Sequence, residues 1–589
     1  MTALLDVTGL SVRTDAGRTI VRGLDLRLGR GETVGIVGES GSGKSLSMRA
    51  VAGLLPQGLT AGGRVALDGA ERTPAERRAV LGRCLTMMFQ DPFTMLNPLM
   101  RVGAQVAEGM RDASKSAVAA RLAEVGIPDA SVARRYPFEL SGGLRQRVGL
   151  AAALAGDPDI LIADEPSTAL DVTTQAEIVT LLRRTGQGRG MGLVIITHDL
   201  RLAFSICDRV LVLYAGGLVE VAPTAALRAM PRHPYTQGLL LSEPPIDRKV
   251  ARMHTIPGGV PEPDDVAGQC SFADRCDWAT DACRTTDPPL EIVAPDHRSA
   301  CLRQDEIADD MATRRTAHLD GDTARAAPDD IPDALVRIDG LAKSFGTARV
   351  LRDIDLVVPR GQCVGLVGES GSGKTTLARC LVGLETADAG RIEIEGNAAL
   401  DPARASGADL AAFRRKVQFV FQDPYATLNP RHTIRKCLAE ILRANHAPRP
   451  YDARMTALLD QVGLPAAYLD RRPAQLSGGE RQRIAIARAL ALSPSLLICD
   501  EPVSALDVSV QAQVLNLLTR LVRDEGLSCL FVTHDLSVVR QIADRICVLQ
   551  KGVIVESGPT ERVMRDPQHA YTRALLAAVP GADQASGAQ

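Results

Sequence analysis

The stretch GIVGESGSGKS at residues 35–45 decides the fold, and GLVGESGSGKT at residues 365–375 repeats it. Both fit the pattern G-x-x-x-x-G-K-[ST], in which glycines let the backbone wrap around phosphates and a helix N-terminus attracts their charge. Each copy follows an apolar run typical of a strand and opens a segment able to form a helix, as the pattern requires. The chain is therefore predicted to contain two phosphate-binding loops. Their residues are Gly38, Ser40, Gly41, Gly43, Lys44 and Ser45, and Gly368, Ser370, Gly371, Gly373, Lys374 and Thr375.

An internal repeat organises the whole chain. Four further segments return in the same order, at offsets of 332 to 336 residues. A constant order and spacing of this kind indicate a duplicated domain. The pairs are FQDPFTMLNP (89–98) and FQDPYATLNP (421–430), LSGGLRQR (140–147) and LSGGERQR (476–483), ADEPSTALD (163–171) and CDEPVSALD (499–507), and THDL (197–200 and 533–536).

Size and composition fit a globular protein with two large domains. The chain has 589 residues, of which 45% are hydrophobic and 23% are charged. A net charge of −2 gives no basic surface for nucleic acid. The N-terminus lacks the features of a signal peptide, and no run of about 18 apolar residues could span a membrane. We therefore expect a cytosolic chain that reaches a membrane through partner proteins.

Each copy also has an apolar strand that ends in Asp-Glu, and such a strand delivers carboxylates from a rigid sheet edge beside the phosphate loop. The aspartates, together with the hydroxyls of the two loops, are predicted to hold Mg²⁺. The glutamates are predicted to polarise the attacking water as general bases. The alternative is a pair of solvated acids at each strand end. The residues are Asp164, Asp500, Ser45 and Thr375 for Mg²⁺, and Glu165 and Glu501 for the base.

LSGGLRQR and LSGGERQR resemble the signature motif of ABC transporter ATPases, and the resemblance covers both cassettes. It implies an α/β fold with two phosphate-loop NTPase nucleotide-binding domains in tandem. Each would have a parallel-sheet core, an antiparallel β subdomain and a helical signature subdomain. ATP with Mg²⁺ is the implied substrate. The other family positions are matched by Gln90 and Gln422 of the Q-loop, which would also reach Mg²⁺, by the switch histidines His198 and His534, and by Asp171 and Asp507 of the D-loop.

The signature motif also implies how the cassettes cooperate. LSGG begins a helix, so its serine, glycine amides and helix dipole form a second phosphate cradle. In this family that cradle faces the phosphate loop of the opposite cassette. The resemblance thus implies two composite sites within one chain, so that no self-oligomer is needed. The first loop would pair with Ser477, Gly478 and Gly479, and the second loop with Ser141, Gly142 and Gly143.

The two copies differ at two positions of these sites. Leu144 stands where the second copy has Glu480, which removes a polar group near one γ-phosphate. Phe345 can stack on adenine ahead of the second loop, whereas the first copy has no aromatic residue before Phe89. Because the Mg²⁺ and base residues occur twice, we expect both sites to hydrolyse ATP at unequal rates.

Each cassette is followed by a similar segment, RHPYTQGLL at 232–240 and QHAYTRALL at 568–576. These segments resemble the C-terminal extension of ATPases that serve oligopeptide and dipeptide permeases and related nickel importers. The likeness implies an ATPase coupled to peptide import, bound peripherally at the cytoplasmic face of the cell (inner) membrane. Its partners would be two integral-membrane permease subunits that receive substrate from an extracytoplasmic binding protein.

Two alternatives remain for this function. Nickel or another solute is the alternative cargo. A soluble tandem ABC ATPase acting on ribosomes is a rival from another class. The short, acidic, helix-poor stretch 302–334 argues against this rival, because its linker is typically long, helical and basic.

Four of the twelve cysteines fall within 32 residues, in the pattern C-x5-C-x6-C-x17-C. They lie in a Pro- and Asp-rich segment too small for a core of its own, which favours a metal held by thiolates. Zinc favours cysteine pairs at short spacing, whereas iron–sulfur clusters accept irregular spacing. A [4Fe–4S] cluster is what the likeness to permease ATPases implies, with zinc or unligated thiols as alternatives. The residues are Cys270, Cys276, Cys283 and Cys301.

The composition along the chain predicts five segments. They are a first nucleotide-binding domain at 1–241, a cysteine-rich extension at 242–301, a flexible linker at 302–334, a second nucleotide-binding domain at 335–577 and a disordered tail at 578–589.

Overall fold

The two copies of the repeat fold into separate units. The computed structural model describes residues 3–90, 95–166, 170–320, 333–395, 406–504 and 506–579. Unit 1 comprises Met1–Leu170, Thr174–Ser242 and Ile256–Asp320, and unit 2 comprises Asp171–Thr173, Glu243–Thr255 and Gly321–Gln589. In the described part of the chain, no helix combines the length and apolarity needed to cross a membrane.

Unit 1 contains twelve strands and ten α-helices among its described residues. The strands are β1 (Leu5–Thr14), β2 (Thr19–Leu28), β3 (Thr33–Val37), β4 (Leu59–Leu67), β5 (Ala70–Glu71), β6 (Leu85–Met88), β7 (Ile160–Asp164), β8 (Gly192–Ile196), β9 (Arg209–Tyr214), β10 (Gly217–Pro223), β11 (Glu291–Ala294) and β12 (His297–Ser299). The helices are α1 (Lys44–Ala52), α2 (Pro74–Ala79), α3 (Val102–Glu108), α4 (Lys115–Glu124), α5 (Gly142–Leu154), α6 (Val172–Arg189), α7 (Leu200–Ile206), α8 (Thr224–Ala229), α9 (Pro234–Ser242) and α10 (Gln304–Asp320).

Unit 2 repeats most of this order, with nine strands and nine α-helices among its described residues. The strands are β13 (Ala334–Phe345), β14 (Ala348–Pro359), β15 (Cys363–Val367), β16 (Ala389–Ile394), β17 (Val417–Val420), β18 (Leu496–Asp500), β19 (Ser528–Thr533), β20 (Arg545–Gln550) and β21 (Val553–Pro559). The helices are α11 (Lys374–Leu381), α12 (Gly407–Lys416), α13 (Ile434–Ala444), α14 (Asp452–Gln461), α15 (Gly478–Leu490), α16 (Val508–Arg523), α17 (Leu536–Ile542), α18 (Thr560–Arg565) and α19 (Ala570–Ala577).

A mostly parallel sheet forms the centre of each unit. In unit 1 the strand order is β11-β12-β10-β9-β3-β8-β7-β6, and in unit 2 it is β17-β18-β19-β15-β20-β21. The strands that carry the loops, β3 and β15, are buried along their whole length. Continuous apolar strands of this kind are typical of parallel sheets covered on both faces. The carboxyl ends of such strands meet at one edge, where ligands bind in open α/β sheets.

Two smaller parts complete each unit as the family resemblance predicted. Antiparallel sheets with the orders β2-β1-β4-β5 and β14-β13-β16 form the β subdomains. Helices α3, α4 and α5 pack their apolar faces into one core cluster with the parallel sheet of unit 1. Helices α13, α14 and α15 do the same in unit 2. The predicted fold class is confirmed.

The cysteine-rich extension does not form a body of its own. Residues Ile256–Asp320 belong to unit 1, where β12 pairs with β10 and β11 pairs with β12. Its apolar side chains Ile256, Val266 and Phe272 are members of the core cluster of unit 1. The sequence predicted a separate segment at 242–301. The structure instead divides it, because its apolar residues use the core of the cassette.

Residues Glu243–Thr255, which we call the strap, belong to unit 2. The buried Lys249 donates from Nζ to the carbonyl of Ala543 at 2.7 Å and lies 3.8 Å from a carboxylate oxygen of Asp544. Backbone groups of Met253 exchange hydrogen bonds with the side chain of Asn516 at 2.9 and 2.8 Å. The strap is therefore an integral part of unit 2.

The predicted flexible linker at 302–334 is wrong for its first half. Helix α10 covers Gln304–Asp320, with acidic residues in its first turn that favour the positive end of the helix dipole. Ile307 and Met311 are buried, and Gln237 of α9 donates to the carbonyl of Met311 at 3.0 Å. The polar composition of this segment did not indicate a packed helix, because a narrow apolar stripe is enough to pack it against the cassette. Residues 321–332 of the linker and 580–589 of the predicted tail lie outside the described residues.

Candidate active sites

The first phosphate loop follows β3 and ends in α1. Gly38 has a φ of 148°, and a Cβ added there would lie 2.2 Å from the carbonyl oxygen of Leu213, so a side chain is excluded. Lys44 donates from Nζ to the carbonyl oxygens of Gly38 at 2.7 Å and Glu39 at 3.0 Å. Helix α1 begins after Gly43 without a side-chain cap, which leaves its first N–H groups for an anion.

The second loop has the same geometry between β15 and α11. Lys374 donates to the carbonyl oxygens of Gly368 at 2.7 Å and Glu369 at 2.9 Å. Burial lowers the pKa of Lys374, against the opposing charges of the carboxylates Glu501 and Asp500. Both predicted phosphate loops are therefore formed, each with its lysine held over the loop by two carbonyls.

The predicted Mg²⁺ residues meet in pairs beside these loops. Ser45 donates from Oγ to Asp164 at 2.8 Å, and Thr375 donates from Oγ1 to Asp500 at 3.2 Å. Burial raises the pKa of both aspartates. A hydroxyl and a single carboxylate are oxygen ligands that suit Mg²⁺, which takes its further ligands from nucleotide and water. These residues fit the ion that the sequence predicted.

The predicted general bases are each held by two neighbours. Glu165 accepts a hydrogen bond from Gln90 at 2.7 Å and lies 3.2 Å from Nδ1 of His198. In unit 2 the corresponding distances from Glu501 are 2.9 Å to Gln422 and 2.9 Å to Nδ1 of His534. The sequence placed these six residues in two sites, and the structure brings each set of three together.

Both glutamates have left-handed backbone conformations, with φ of 47° at Glu165 and 46° at Glu501. Such a conformation is costly for a residue with a side chain and is typical of functional sites. It is fixed by the backbone N–H groups, which donate to Ile196 and Val532 at 2.8 and 2.9 Å. In this conformation each carboxylate contacts the glutamine and the histidine of its unit.

The charge of the base is set by its environment in unit 2. Burial would raise the pKa of Glu501, but hydrogen bonding and the charges of His534 and Lys374 lower it below its usual value. The pKa of His534 is raised by Glu501 in spite of burial. Glu501 is therefore ionised at neutral pH, as a group that accepts a proton from water must be.

The signature residues cap helices α5 and α15. Ser141 accepts from the N–H of Leu144 at 3.4 Å, and Ser477 accepts from the N–H of Glu480 at 3.3 Å. A Cβ added at Gly479 would lie 2.1 Å from Val510, so this glycine allows close packing against α16. Each cradle is present in its own unit. The pairing of cradles with the opposite loops stays a prediction.

The HPY-like segments contribute to the phosphate loops, which sequence analysis missed. The N–H of Glu39 donates to the hydroxyl of Tyr235 at 2.8 Å. The N–H of Glu369 donates to Tyr571 at 3.0 Å. Nδ1 of His233 accepts from the N–H of Tyr235 at the start of α9. Burial lowers the pKa of His233 to about 3, so that the ring is neutral. The repeated HPY and HAY sequences were the available signal, but they did not indicate which residue the tyrosine contacts.

The chain matches known protein families over both cassettes. A family model described as ABC transporter matches residues 21–168 and 351–504. The chain belongs to the ABC transporter ATPases. A second family model, described as Oligopeptide/dipeptide transporter, C-terminal region, matches residues 219–283 and 555–588 of this ABC ATPase.

Several relatives have the same tandem arrangement. The oligopeptide transport ATP-binding protein OppD of Mycobacterium tuberculosis is 43% identical over 616 residues, which cover 99% of this chain and 100% of OppD. The glutathione import ATP-binding protein GsiA of Escherichia coli K12 is 39% identical over 588 residues, which cover 96% of this chain and 87% of GsiA. A solved structure described as RNase-L Inhibitor has a TM-score of 0.57 at 20% identity, covers 93% of this chain and 90% of its own, and shares the fold alone.

The arrangement explains how an ABC ATPase of this kind hydrolyses ATP. The lysine of each loop would neutralise phosphate oxygens, and the hydroxyl–aspartate pair would hold Mg²⁺, an ion that offsets charge on the phosphates. The glutamate beside each loop is the predicted base, which would orient and deprotonate water for attack on the γ-phosphate. Glutamine and histidine keep that carboxylate in place, so they are positioning residues as well as candidate phosphate contacts.

The difference between Leu144 and Glu480 is accompanied by a second difference between the two units, at a residue that contacts Glu480. Glu480 accepts hydrogen bonds from the N–H of Ser477 at 2.7 Å and from the hydroxyl of Tyr468 at 2.6 Å. The same offset of 336 residues places Val132 where unit 2 has Tyr468. Val132 and Leu144 both pack in the apolar cluster of unit 1. A polar pair in unit 2 therefore corresponds to an apolar pair in unit 1, which sequence analysis missed at Val132.

Replacing Glu480 alone should be costlier than replacing the pair. Glu480→Leu leaves the Tyr468 hydroxyl and the Ser477 N–H without this acceptor, at a cost of about 1–2 kcal/mol in unfolding free energy. In Tyr468→Val/Glu480→Leu, which copies unit 1, we expect about 1 kcal/mol to be regained. Urea denaturation of the full chain measures both. Additive losses would show that the two residues are not coupled.

Phe345 lies at the end of β13 with its side chain 48% exposed, and the ammonium of Lys343 lies 5.0 Å from the ring centroid. The ring is accessible, and its stacking on adenine stays a prediction. In unit 1 the corresponding strand β1 ends at Thr14. Beside it Asp264 of the extension accepts from the N–H of Thr19 at 2.9 Å. The extension thus approaches the first site, which sequence analysis did not anticipate.

The four clustered cysteines line one cavity of about 20 Å³, together with His233, Trp278 and Arg303. Burial, with a smaller contribution from the neighbouring thiols, raises the pKa of Cys276 to about 11 and that of Cys301 to about 12. As arranged, neither these thiols nor any other described group of three or more His, Cys, Asp or Glu side chains could hold a metal ion. The four thiols therefore line one cavity, but the structure does not support the predicted metal site.

Proposed function

We propose that the chain is the ATP-hydrolysing motor of an importer for oligopeptides or dipeptides. The observation that carries this proposal is the contact of Tyr235 and Tyr571 with the two phosphate loops. The region that matches oligopeptide/dipeptide transporters is thereby built into both ATP sites. The names of two relatives, the oligopeptide transport ATP-binding protein OppD and the glutathione import ATP-binding protein GsiA, support a peptide as cargo.

The motor acts peripherally, at the cytoplasmic face of the membrane. It drives two integral-membrane permease subunits, which receive substrate from an extracytoplasmic binding protein. Within the chain, each phosphate loop pairs with the signature serine and glycines of the other half. ATP binding closes the halves and hydrolysis releases them, so that the ligand shifts a two-state equilibrium. Surfaces beside Gln90 and Gln422 accept cytoplasmic segments of the permease subunits.

Reconstitution tests the proposal directly. The full chain, co-expressed with its genomically neighbouring permease genes, is expected to co-purify with two membrane subunits. In vesicles the complex should accumulate a labelled peptide only with ATP and binding protein. Competition by unlabelled peptide but not by Ni²⁺ is the expected outcome. Accumulation of nickel instead would overturn the peptide assignment, and co-purification with ribosomes would overturn the transport function.

We also propose that the cavity lined by the four cysteines holds a [4Fe–4S] cluster with a structural or regulatory role. Four thiols on one cavity are a donor set that suits a soft metal or an iron–sulfur cluster. The N–H of Cys270 donates to the carbonyl of Cys283 at 2.8 Å, so two of the four cysteines are neighbours in the fold. The cluster would not take part in hydrolysis, because that reaction transfers no electrons.

Anaerobic purification distinguishes the cluster from its alternatives. We expect about four iron and four inorganic sulfide per chain and a broad brown absorbance, which is lost in Cys301→Ser. Cys207→Ser, a buried cysteine of α7–β9, is the matched control and should retain iron. Colourless chain with one zinc, or with neither metal, would contradict the cluster.

A further inference from the structure

Arg275 of the cysteine-rich extension is buried against the first phosphate loop. Its two terminal nitrogens donate to the two carboxylate oxygens of Glu39 at 2.7 and 3.1 Å. The side chains are 6% and 4% exposed. A two-pronged contact between a guanidinium and a carboxylate is a strong and directional ion pair, and burial reduces its screening by water.

The guanidinium has further partners in the extension and in strand β9, which fix its position. Nε donates to the carbonyl of Pro257 at 2.6 Å, and one terminal nitrogen also donates to the hydroxyl of Tyr214 at 3.1 Å. The rings of Tyr214 and Phe272 lie 5.6 and 5.9 Å from the guanidinium carbon. Arg275 ends the turn Ala273–Arg275, which lies between Cys270 and Cys276.

Glu39 is the loop residue through which this contact acts. Its carbonyl accepts one of the two hydrogen bonds that hold the Lys44 ammonium, and its N–H donates to Tyr235. A carboxylate in a loop that receives polyphosphate would repel the ligand, because like charges at short range oppose each other. Arg275 compensates that charge and holds the carboxylate in a buried ion pair.

Unit 2 has the same loop without this contact. Glu369 keeps the backbone bonds to Tyr571 and Lys374. Gln550 occupies the position of Tyr214, at the offset of 336 residues. Among the described residues, no ion pair of Glu369 is found. The two loops therefore differ in one partner, which the extension supplies.

We propose that Arg275 is a positioning residue for ATP binding at the first phosphate loop. The extension braces this loop through the Arg275–Glu39 ion pair, so the ATP affinity of the first site depends on the extension and that of the second site does not. The inference is independent of the transported solute, since it concerns nucleotide binding alone.

Nucleotide binding to the full chain tests each loop separately. In a Lys374→Ala background, binding of a fluorescent ATP analogue reports the first loop, and in a Lys44→Ala background it reports the second. Arg275→Met should weaken binding at least about tenfold in the first background. In the second background the dissociation constant should change less than twofold. Equal weakening at both loops, or none at the first, would overturn the proposal.

Charge rescue separates positioning from a merely structural role. Adding Glu39→Gln to Arg275→Met removes the uncompensated charge and should restore most of the affinity at the first loop. Arg284→Met, which removes an exposed arginine of the same extension paired with Asp274, is the matched control and should bind as the parent does. Failure of the rescue in a folded double variant would overturn the proposal.

Arg275→Lys covers the case in which Arg275→Met does not fold. It keeps the charge and gives up the second hydrogen bond, so the expected affinity at the first loop lies between those of the parent and Arg275→Met. Circular dichroism and thermal melting establish that each variant is folded. A folded Arg275→Lys variant with parental affinity would count against the ion-pair geometry as the cause.

Discussion

Glu165→Gln and Glu501→Gln, combined in one chain, should lower ATP turnover by about 10²–10⁴-fold, since each removes a general base without altering shape. Each glutamate is held by a glutamine and a histidine at distances of 2.7 to 3.2 Å, and glutamine can accept some of these contacts. The loss should therefore be chemical, with ATP binding retained. Steady-state phosphate release measures turnover, and equilibrium binding measures affinity.

The single variants assign turnover to the two sites. We expect Glu165→Gln and Glu501→Gln to lower turnover by unequal amounts, because the sites differ at Phe345 and at Arg275. The exposed Glu291→Gln, on β11, is the matched control for the chemical change. If one single variant retains full turnover, the opposite site carries hydrolysis alone and the expectation of two active sites is wrong.

Glu220→Ala should be among the most destabilising substitutions in unit 1, by about 3–5 kcal/mol. Glu220 is 0% exposed and accepts from the N–H groups of Arg232 and His233 at 2.6 and 3.0 Å. Nε2 of His297 lies 2.7 Å from the same carboxylate. Its removal leaves these buried groups without an acceptor and loosens the contact of β12 with the cassette.

Unit 2 offers a matched comparison for this effect. Glu556 accepts from the N–H groups of Gln568 and His569 at 2.8 and 3.1 Å but lies closer to solvent. Among the described residues β21 pairs with β20 alone. Glu556→Ala should cost about 1–2 kcal/mol. Thermal unfolding ranks the variants, and hydrogen exchange at β10 and β12 locates the loss. Equal destabilisation by both substitutions would contradict the role of the extension.

The sequence was sufficient for those parts of the fold that are local or repeated. Phosphate loops, Asp-Glu strands and signature helices depend on short-range spacing, so the positions of Lys44, Asp164 and Glu165 could be read before their geometry was known. The repeat supplied an internal check, because two strands with the same role must be buried in the same way. The roles of the Q-loop glutamines and the switch histidines were inferred from the family resemblance, and the structure places each of them beside the predicted base.

The rest depends on contacts between distant segments, which no local pattern specifies. The Arg275–Glu39 ion pair joins residues 236 positions apart, and the Tyr235–Glu39 bond joins residues 196 apart. Helix α10 was predicted as a flexible linker because its few apolar residues, such as Ile307 and Met311, become buried only when the helix packs beside α9. The metal geometry of the cysteines could not be derived from spacing either, since the ligand itself would determine it.

The strap has a consequence for the genetics of this protein. A gene divided at residues 321–332 would give two polypeptides, each with its own phosphate loop, Asp-Glu strand and switch histidine. In the first product Val250 and Met253 would nevertheless lack Ala512, with which they form a buried apolar cluster in unit 2. The second would lack the lysine that binds Ala543 and Asp544. Encoding both halves in one reading frame therefore ensures that a segment translated with the first cassette is always available to complete the second.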